Sequence, residues 1–336
     1  MSAKSVNEIV DLASAFYSSA VLFAALDAGV FAALEKTPGT GADAAAAALG
    51  ASPRGTRLLL DACVACGLLE KSPSGGYSNT KAASLSLVPG APADLTKAIR
   101  YNRDVYPAWG RLAELVATGR PVESPKLHLG GDPARTKAFA DSMFGRAMAI
   151  GQGVVPMLGK LEGRLLDLAG GPGAYAILAC RSNPSLRATT VDLPAISAAA
   201  ADYVERAGLS SRIECRAGDY HKDEFEAGSY DAATIFGALH QESPSAIVDI
   251  LKRANRALKP GGKIFILDMM TDETHVSPPF SALFAVNMAL TTENGWVFSD
   301  AELKDCLSQA GFDPGETLKA PAPMPHWLVS AAKRNA

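Results

Sequence analysis

The feature that most constrains this chain is a glycine-rich turn near its midpoint. Residues 164–168 (RLLDL) have the pattern of a short buried strand, and the glycines of the following AGGPG segment end it just before an apolar run, 174–180, that can become helical. Glycines in such a turn let a ligand approach backbone N–H groups at the start of the helix. The order of strand, turn and helix therefore predicts a nucleotide-type cleft in an α/β fold, with the turn as its floor.

The glycine spacing alone does not identify the ligand. Gly171, Gly173 and Ala176 also match the loose dinucleotide pattern G-x-G-x-x-G/A. Asp167 at the end of the strand favours another ligand, because a carboxylate there would repel a pyrophosphate and attract positive charge. S-adenosylmethionine carries an ammonium and a sulfonium, so it suits an acidic loop. Asp192 ends the next predicted strand, where a carboxylate commonly accepts the ribose hydroxyls of either cofactor class.

Composition limits the class of protein. The chain has 336 residues, enough for about two domains, and 48% of them are hydrophobic. Its net charge of −3 argues against a nucleic-acid partner, since proteins that bind polyanions usually carry a basic excess. The N-terminus lacks a basic-then-apolar signal pattern, and Asp27 interrupts the apolar stretch 20–34. We therefore expect a cytoplasmic protein without a membrane partner.

The cysteines indicate a reducing compartment and no metal site. There are five of them, an odd number. Cys63 and Cys66 form a C-x-x-C pair, but they lie within a helical pattern without a second pair or a nearby histidine. We interpret both as core residues.

The N-terminal part, 1–160, is predicted to be mostly helical. Apolar residues recur at helical spacing, and a small hairpin is predicted around the Ser-Gly-Gly turn 74–76. Three helices followed by a hairpin describe a winged helix. The helix 53–67 carries only Arg54 and Arg57 as cations, which favours docking or dimerisation over DNA recognition.

The remaining part, 161–336, alternates strand-like and helix-like segments. This pattern predicts a Rossmann-like parallel sheet with helices on both faces. The predicted strands are 164–168, 187–192, 212–217, 230–238 and 263–270, with a closing pair at 316–320 and 326–332. Ligands bind outside the C-terminal ends of such strands, a rule that gathers five residues into one crevice: Asp167, Gly170, Asp192, Asp219 and His240.

Three segments near that crevice suggest chemistry. Asp219 could accept a hydrogen bond from adenine and Tyr220 could cover its ring, although a solvated Gly-Asp turn is an equal alternative. His240 follows an apolar strand, and we favour a general base for a phenol or other weak acid over a structural histidine. Phe139 and Met143 lie on a helix that leads toward the sheet. They have two interpretations, ordinary core packing and the lining of a substrate pocket.

Several segments resemble, in order and spacing, the class I S-adenosylmethionine-dependent O-methyltransferases of the caffeic-acid and hydroxyindole type. They are LLDLAGGPG, VDLP, AGDY, FGALH and ALKPGGKIFILD, while VLFAALDAGVFAAL and SPRGTRLLLDACVACGLLEKS resemble that family's winged-helix dimerisation domain. The resemblance implies a seven-stranded methyltransferase sheet, a homodimer formed through the N-terminal domain, and methyl transfer to a hydroxyl of a small, aromatic molecule. S-adenosylhomocysteine would be the second product.

The resemblance also assigns residues to roles. His240 is the implied catalytic residue. By position, the implied cofactor-binding residues are Gly170, Asp192, Asp219 and Tyr220. Together with Asp167, Gly171 and Gly173 of the strand and glycine turn and Leu193 next to Asp192, they are the cofactor-binding residues that we predict. The implied substrate-binding residues are Phe139, Met143, Phe284, Asn287 and Met288.

Three positions depart from the family pattern. Gln241 stands where an aspartate commonly follows the histidine, and Phe236 replaces a lysine of the plant enzymes. Val297 stands where an orienting carboxylate is expected, with Glu293 and Asp300 as the nearest acids. A histidine without an acidic partner is a weaker base, because nothing fixes its tautomer. We therefore expect an unusually acidic acceptor, or a relative that performs C-methylation, hydroxylation or decarboxylation. A winged-helix regulator that senses a small ligand is the alternative from another class.

Overall fold

The structure is a computed structural model that describes residues 3–124, 130–321 and 325–334. The chain divides into two compact units, Met1–Arg103 and Asp104–Ala336.

The first unit consists of helices and one hairpin. Its elements are α1 (Val6–Ser14), α2 (Phe16–Asp27), α3 (Val30–Lys36), α4 (Ala42–Leu49), α5 (Pro53–Ala65), β1 (Leu69–Lys71), β2 (Tyr77–Asn79) and α6 (Lys81–Ser86), and the division between the units falls within α7 (Thr96–Trp109).

Local sequence explains these elements. Ser5 and Glu8 form a capping box at the start of α1, and Ser52 caps α5 just before its first proline. β1 and β2 pair antiparallel, with Leu69 opposite Asn79, as the predicted hairpin requires. Elements from α2 onward bury an apolar core, whereas α1 buries no residue.

One stretch of the first unit resembles a membrane span by length and composition alone. It runs from Val6 to Asp27, and only 6% of its most apolar window is buried. This is weak evidence, because core helices of soluble proteins and signal sequences meet the same criterion.

The second unit contains the large sheet. Its elements are α8 (Leu112–Thr118), α9 (Pro133–Val154), β3 (Arg164–Leu168), α10 (Ala174–Ser182), β4 (Arg187–Asp192), α11 (Pro194–Arg206), β5 (Ile213–Ala217), β6 (Tyr230–Phe236), α12 (Pro244–Ala257), β7 (Leu258–Met269), α13 (Pro279–Thr291), α14 (Asp300–Gln309), β8 (Phe312–Lys319) and β9 (His326–Lys333).

The sheet has seven strands in the order β5-β4-β3-β6-β7-β9-β8. The five strands from β5 to β7 are parallel, as predicted, but β9 pairs antiparallel with both β7 and β8, so the sheet is mixed. The connection from β8 to β9 is too short for the crossover that a parallel pair needs. Apolar side chains cover both faces, as the alternation along β3 illustrates: Leu166 and Leu168 pack in one cluster and Leu165 in the other.

The division between the two compact units, after Arg103, comes earlier in the chain than the domain boundary that we predicted at residue 160. The reason is α9, which packs against α10 and α11. This packing makes the segment from Asp104 to residue 160 part of the unit that contains the sheet. Met148 packs against the core of that unit, so the interpretation of Met148 as a core residue is confirmed.

Candidate active site

The glycine loop, residues 169–173, connects β3 to α10. Gly171 and Gly173 have φ angles of 56° and 78°, which glycine adopts without strain, and Gly173 is the N-cap of α10. A Cβ at Gly170 would lie 1.9 Å from Oγ1 of Thr190 and 2.5 Å from Oδ2 of Asp167. The backbone therefore approaches its neighbours more closely than any other residue would allow.

Asp167 lies beneath this loop. Its side chain is buried, and Oδ1 accepts a hydrogen bond of 2.7 Å from the hydroxyl of Thr234. Oδ2 lies under Gly170, next to the hydroxyl of Thr190, which like that of Thr234 lowers the pKa of Asp167. Burial raises the pKa of Asp167 to about 6, although the Thr234 hydrogen bond opposes this. The carboxyl group of Asp167 is therefore buried beneath the loop, whereas we expected it to make the loop itself acidic.

Asp192 is tied to the glycine loop by backbone hydrogen bonds. Its Oδ2 accepts the N–H of Gly171 and its Oδ1 accepts the N–H of Leu193, both at 2.8 Å. Burial raises the pKa of Asp192 to about 6, and these two hydrogen bonds oppose the rise. Each carboxylate oxygen keeps a further lone pair for a ligand hydroxyl.

The turn after β5, residues 218–223, carries the AGDY motif. Asp219 accepts hydrogen bonds from the backbone N–H of His221 (2.9 Å) and from Nζ of Lys222 (2.8 Å). Partial burial raises the pKa of Asp219, but these hydrogen bonds outweigh it and lower the pKa below its ordinary value. Tyr220 donates its hydroxyl to Oε1 of Glu242 at 2.8 Å. Burial, reinforced by the Glu242 charge, raises the pKa of Tyr220 well above its ordinary value, so the phenol stays neutral.

His240 has an acidic partner, which the sequence alone did not identify. Its Nδ1 lies 2.6 Å from Oδ1 of Asp268, and its backbone N–H donates to Oδ2 of the same residue at 3.3 Å. Both side chains are buried. Asp268 lies in β7, and β7 runs parallel to β6, the strand that leads to His240.

The prediction that the carboxylate partner of His240 lies near Val297 was wrong. Val297 is buried and packs in an apolar cluster with Phe284 and Met288, and the carboxylate that meets the imidazole comes from β7 instead. The sequence did contain a signal for the correct partner. Asp268 is the last residue of KIFILD and lies near the end of the strand that pairs with the one leading to His240.

Apolar side chains of α13 lie next to His240. The ring of Phe284 meets the imidazole edge to face, with 5.1 Å between centroids, and Met288 belongs to the same cluster as Phe284. Asn287 is also buried, and its Oδ1 accepts a hydrogen bond from Nε1 of Trp109 at 2.9 Å. Phe139 and Met143 are half-buried on α9, which packs on α10 and α11.

The described residues contain no group of three or more His, Cys, Asp or Glu side chains that could hold a metal ion. Cys63 is buried in the core of the first unit, as expected, but Cys66 is exposed, because it lies at the end of α5. A cavity of about 640 Å³ opens where β6 and β7 begin, lined by charged residues that include Lys160, Asp231 and Lys263. It contains none of the predicted site residues, and Asp167, Asp192 and His240 lie instead at the opposite, C-terminal ends of the parallel strands.

Comparisons with known proteins agree with this arrangement. A model of the O-methyltransferase domain matches residues 118–313, and a model of the O-methyltransferase dimerisation domain matches residues 10–89. The chain is 32% identical to the 3-hydroxy-5-methyl-1-naphthoate 3-O-methyltransferase of Streptomyces sahachiroi over 331 residues, which cover 97% of this chain and 94% of that protein.

Solved structures give the same result. The structure of human N-acetylserotonin methyltransferase in complex with SAM (S-adenosylmethionine) superposes with a TM-score of 0.87 at 27% identity and covers 100% of both chains. The structure of PigF with SAH (S-adenosylhomocysteine) superposes with a TM-score of 0.90 at 25% identity, covering 98% of this chain and 100% of that one. The glycine loop, the seven-stranded sheet and these matches together show that this chain belongs to the S-adenosylmethionine-dependent O-methyltransferase family.

Proposed function

We propose that this enzyme transfers the methyl group of S-adenosylmethionine to a hydroxyl of a small aromatic molecule, with His240 as the general base. The observation that carries the proposal is the 2.6 Å contact between Nδ1 of His240 and the buried carboxylate of Asp268. This pair stands at the edge of the sheet that also carries the glycine loop. The main argument for C-methylation, hydroxylation or decarboxylation was a histidine without an acidic partner. The contact with Asp268 removes that argument.

The residues around the glycine loop fit the cofactor. When bound, S-adenosylmethionine supplies an electrophilic methyl group on a sulfonium. The loop, with Gly170, Gly171 and Gly173, leaves space for a ligand against its backbone and places N–H groups at the start of α10. Asp192 and the neighbouring Leu193 would hold the ribose.

The adenine would lie at the turn after β5. Asp219 is ionised and half-buried there, and Tyr220 presents a neutral ring. Asp167 adds a partly ionised carboxyl below the loop, which favours a cationic ligand.

His240 is oriented for proton transfer. A carboxylate only accepts hydrogen bonds, so Asp268 holds the hydrogen on Nδ1 and leaves the lone pair on Nε2, on the opposite side of the ring. That nitrogen would take the proton of the acceptor hydroxyl, and Asp268 would stabilise the imidazolium that results. A positioned base of this kind contributes about 10²- to 10⁴-fold to the rate.

The acceptor side of the cleft is apolar. Phe284 packs beside His240 and Met288 belongs to the same apolar cluster as Phe284, while Phe139, Met143 and Asn287 are our further proposed lining residues. A flat aromatic acceptor suits such a surface. The hydroxynaphthoate named for the Streptomyces relative supports this class of acceptor.

The test is turnover of a panel of phenolic acceptors, including a hydroxynaphthoate and N-acetylserotonin, followed by S-adenosylhomocysteine release. We expect His240→Ala to lower kcat on the best acceptor by about 10²- to 10⁴-fold, with S-adenosylhomocysteine affinity by calorimetry unchanged. Unchanged turnover would exclude His240 as the base. Cofactor binding without methylation of any acceptor would favour a different reaction.

We also propose that the enzyme is a homodimer formed through its N-terminal, winged-helix-like unit. Large apolar side chains of α1 and α2 are more than half exposed: Val6, Ile9, Val10, Leu12, Phe16 and Tyr17. An apolar surface of this kind requires a partner, and the match to a dimerisation domain supports a second copy. The second copy would cover this apolar surface, so no membrane is needed to explain it. We further propose that the enzyme is cytoplasmic and has no nucleic-acid partner, in line with its net charge of −3.

Light scattering of the purified protein tests this assembly. We expect a dimer for the wild type and a monomer for Ile9→Glu combined with Phe16→Glu, because both side chains are exposed and the charges would oppose association. A monomeric wild type would contradict the proposal.

A further inference from the structure

Glu242 is a buried carboxylate that the proposed mechanism does not use. Only 10% of its side chain is exposed, although it lies two residues after His240. Burying a carboxylate is costly unless donors compensate. The hydroxyl of Tyr220 donates to Oε1 at 2.8 Å, and Nε2 of His221 lies 3.1 Å from the same oxygen.

The backbone of Glu242 is fixed independently of its side chain. Its carbonyl oxygen accepts Nε1 of Trp296 at 2.7 Å, and its N–H donates to the carbonyl of Leu239 at 3.0 Å. The N–H of Trp296 in turn donates to the carbonyl of His240 at 2.9 Å. The backbone of Glu242 is therefore held in a constant position relative to His240, and its side chain extends from that fixed point toward the turn after β5.

The two side chains that reach this acceptor both come from the turn after β5. The rings of Tyr220 and His221 lie 4.6 Å apart, so neighbouring residues of one turn converge on one oxygen. The N–H of His221 also donates to Asp219. Fixing these two rings consequently fixes the orientation of the Asp219 carboxylate.

We infer that Glu242 is a positioning residue for the cofactor: its carboxylate holds the turn 218–223 in the conformation that receives the adenine end of the ligand. The inference rests on the proposed roles of Asp219 and Tyr220. Without this carboxylate the Tyr220 hydroxyl loses its acceptor, and His221, whose side chain is 43% exposed, turns toward solvent. The turn then samples conformations that must be restricted again when the cofactor binds.

A role confined to folding makes a different prediction from a role in positioning. If Glu242 only stabilised the unit, its removal would lower the melting temperature without changing the affinity of the folded protein for cofactor. If it positions the turn, affinity falls as well, and the loss is shared with Tyr220 because both changes break the same hydrogen bond.

The experiment measures S-adenosylhomocysteine affinity by calorimetry, and melting temperature, for Glu242→Ala, Tyr220→Phe and the double variant. We expect Glu242→Ala to weaken binding about tenfold, in line with hydrogen bonds to charged groups. The double variant should bind no more than about threefold more weakly than Glu242→Ala, because the shared bond can be lost only once. In turnover, KM for S-adenosylmethionine should rise while KM for the acceptor stays constant.

Two variants serve as controls. Glu242→Gln keeps an oxygen acceptor at the same place, so it should bind within about threefold of the wild type. Glu205→Ala removes an exposed glutamate of α11 and should bind as the wild type does.

Wild-type affinity in folded Glu242→Ala would overturn the inference, as would full additivity with Tyr220→Phe. If Glu242→Ala does not fold, Tyr220→Phe decides alone, and unchanged affinity in that variant overturns the inference. Absence of S-adenosylhomocysteine binding by the wild type would instead overturn the proposed function, and this inference with it.

Discussion

The two halves of the proposed cleft are held together in different ways. On the cofactor side, polar groups hold one another: Asp192 accepts backbone N–H groups of Gly171 and Leu193, and Glu242 accepts the Tyr220 hydroxyl from the turn after β5. On the acceptor side, Phe284 of α13 and its apolar neighbours pack beside one hydrogen-bonded pair, His240 and Asp268.

This difference separates binding from chemistry. The hydrogen-bonded half has little freedom to adapt, which suits a ligand that is the same for every member of the family. The apolar half depends on shape, since it offers few directional contacts beyond the pair. Changes in the first half should therefore alter cofactor affinity, and changes in the second half should alter turnover.

The largest effect is expected when the pair on the acceptor side is broken by Asp268→Asn. Three donors point at this carboxylate: Nδ1–H and the backbone N–H of His240, and the backbone N–H of Met269. An amide has one oxygen and a donor NH₂, so it cannot accept all three, and the imidazole is driven to the wrong tautomer. We expect kcat to fall about 10²- to 10⁴-fold, measured at saturating cofactor and acceptor.

The same variant should bind S-adenosylhomocysteine as the wild type does. Asp249→Asn, a substitution of a largely exposed aspartate on α12, is the matched control and should leave kcat unchanged. A kcat within threefold of the wild type for Asp268→Asn would show that the carboxylate does not orient the base.

The cofactor side can be tested through the pH dependence of stability. Burial raises the pKa of Asp167 from 3.8 to about 6, so the folded state prefers the protonated carboxyl. Its contribution to stability is complete below pH 3.8 and is lost as the pH rises through 6, a difference of about 3 kcal/mol. Asp167→Asn does not ionise, so its free energy of unfolding in the absence of ligand should decrease less between pH 4.5 and 7.5.

The difference in free energy of unfolding between Asp167→Asn and wild type, from urea titrations, should therefore grow with pH toward about 3 kcal/mol. Asp192 also has a pKa of about 6 and remains in the variant, so part of the slope persists. A constant difference across this pH range would contradict the buried, partly protonated state of Asp167.

The sequence predicted local features better than contacts between distant segments. The strand, glycine turn and helix at 164–180 were correct because each depends on neighbouring residues. The starts of β7 and β8 were placed too late, because Pro260 and the Pro314-Gly pair suggest a break, whereas both segments pair with other strands through a bulge.

The acidic partner of His240 was missed for a related reason. Strands β6 and β7 are adjacent and parallel, with Phe236 opposite Leu267, and only this register brings Asp268 to the histidine. Burial of Asp167 likewise depends on β4 and β6, which flank its strand. Neither relation follows from spacing along the chain.

The smallest of these effects, and the most selective for the cofactor side, is expected for Gly170→Ala. The added Cβ would lie 1.9 Å from Oγ1 of Thr190, so the loop must shift away from β4. Overpacking of this kind costs about 1–3 kcal/mol, and we expect S-adenosylhomocysteine affinity by calorimetry to fall about tenfold to a hundredfold.

If the two halves of the cleft act separately, Gly170→Ala should change cofactor affinity and leave the rate of methyl transfer nearly unchanged. Because the shift is confined to the loop, kcat at saturating cofactor should stay within about threefold of the wild type, the reverse of the Asp268→Asn result. Gly41→Ala is the control, since a Cβ there meets nothing within 4 Å and the residue has an ordinary φ of −72°. If Gly170→Ala lowered kcat as strongly as it lowered affinity, the two halves would act as one unit, and binding and proton transfer could not be separated by substitution.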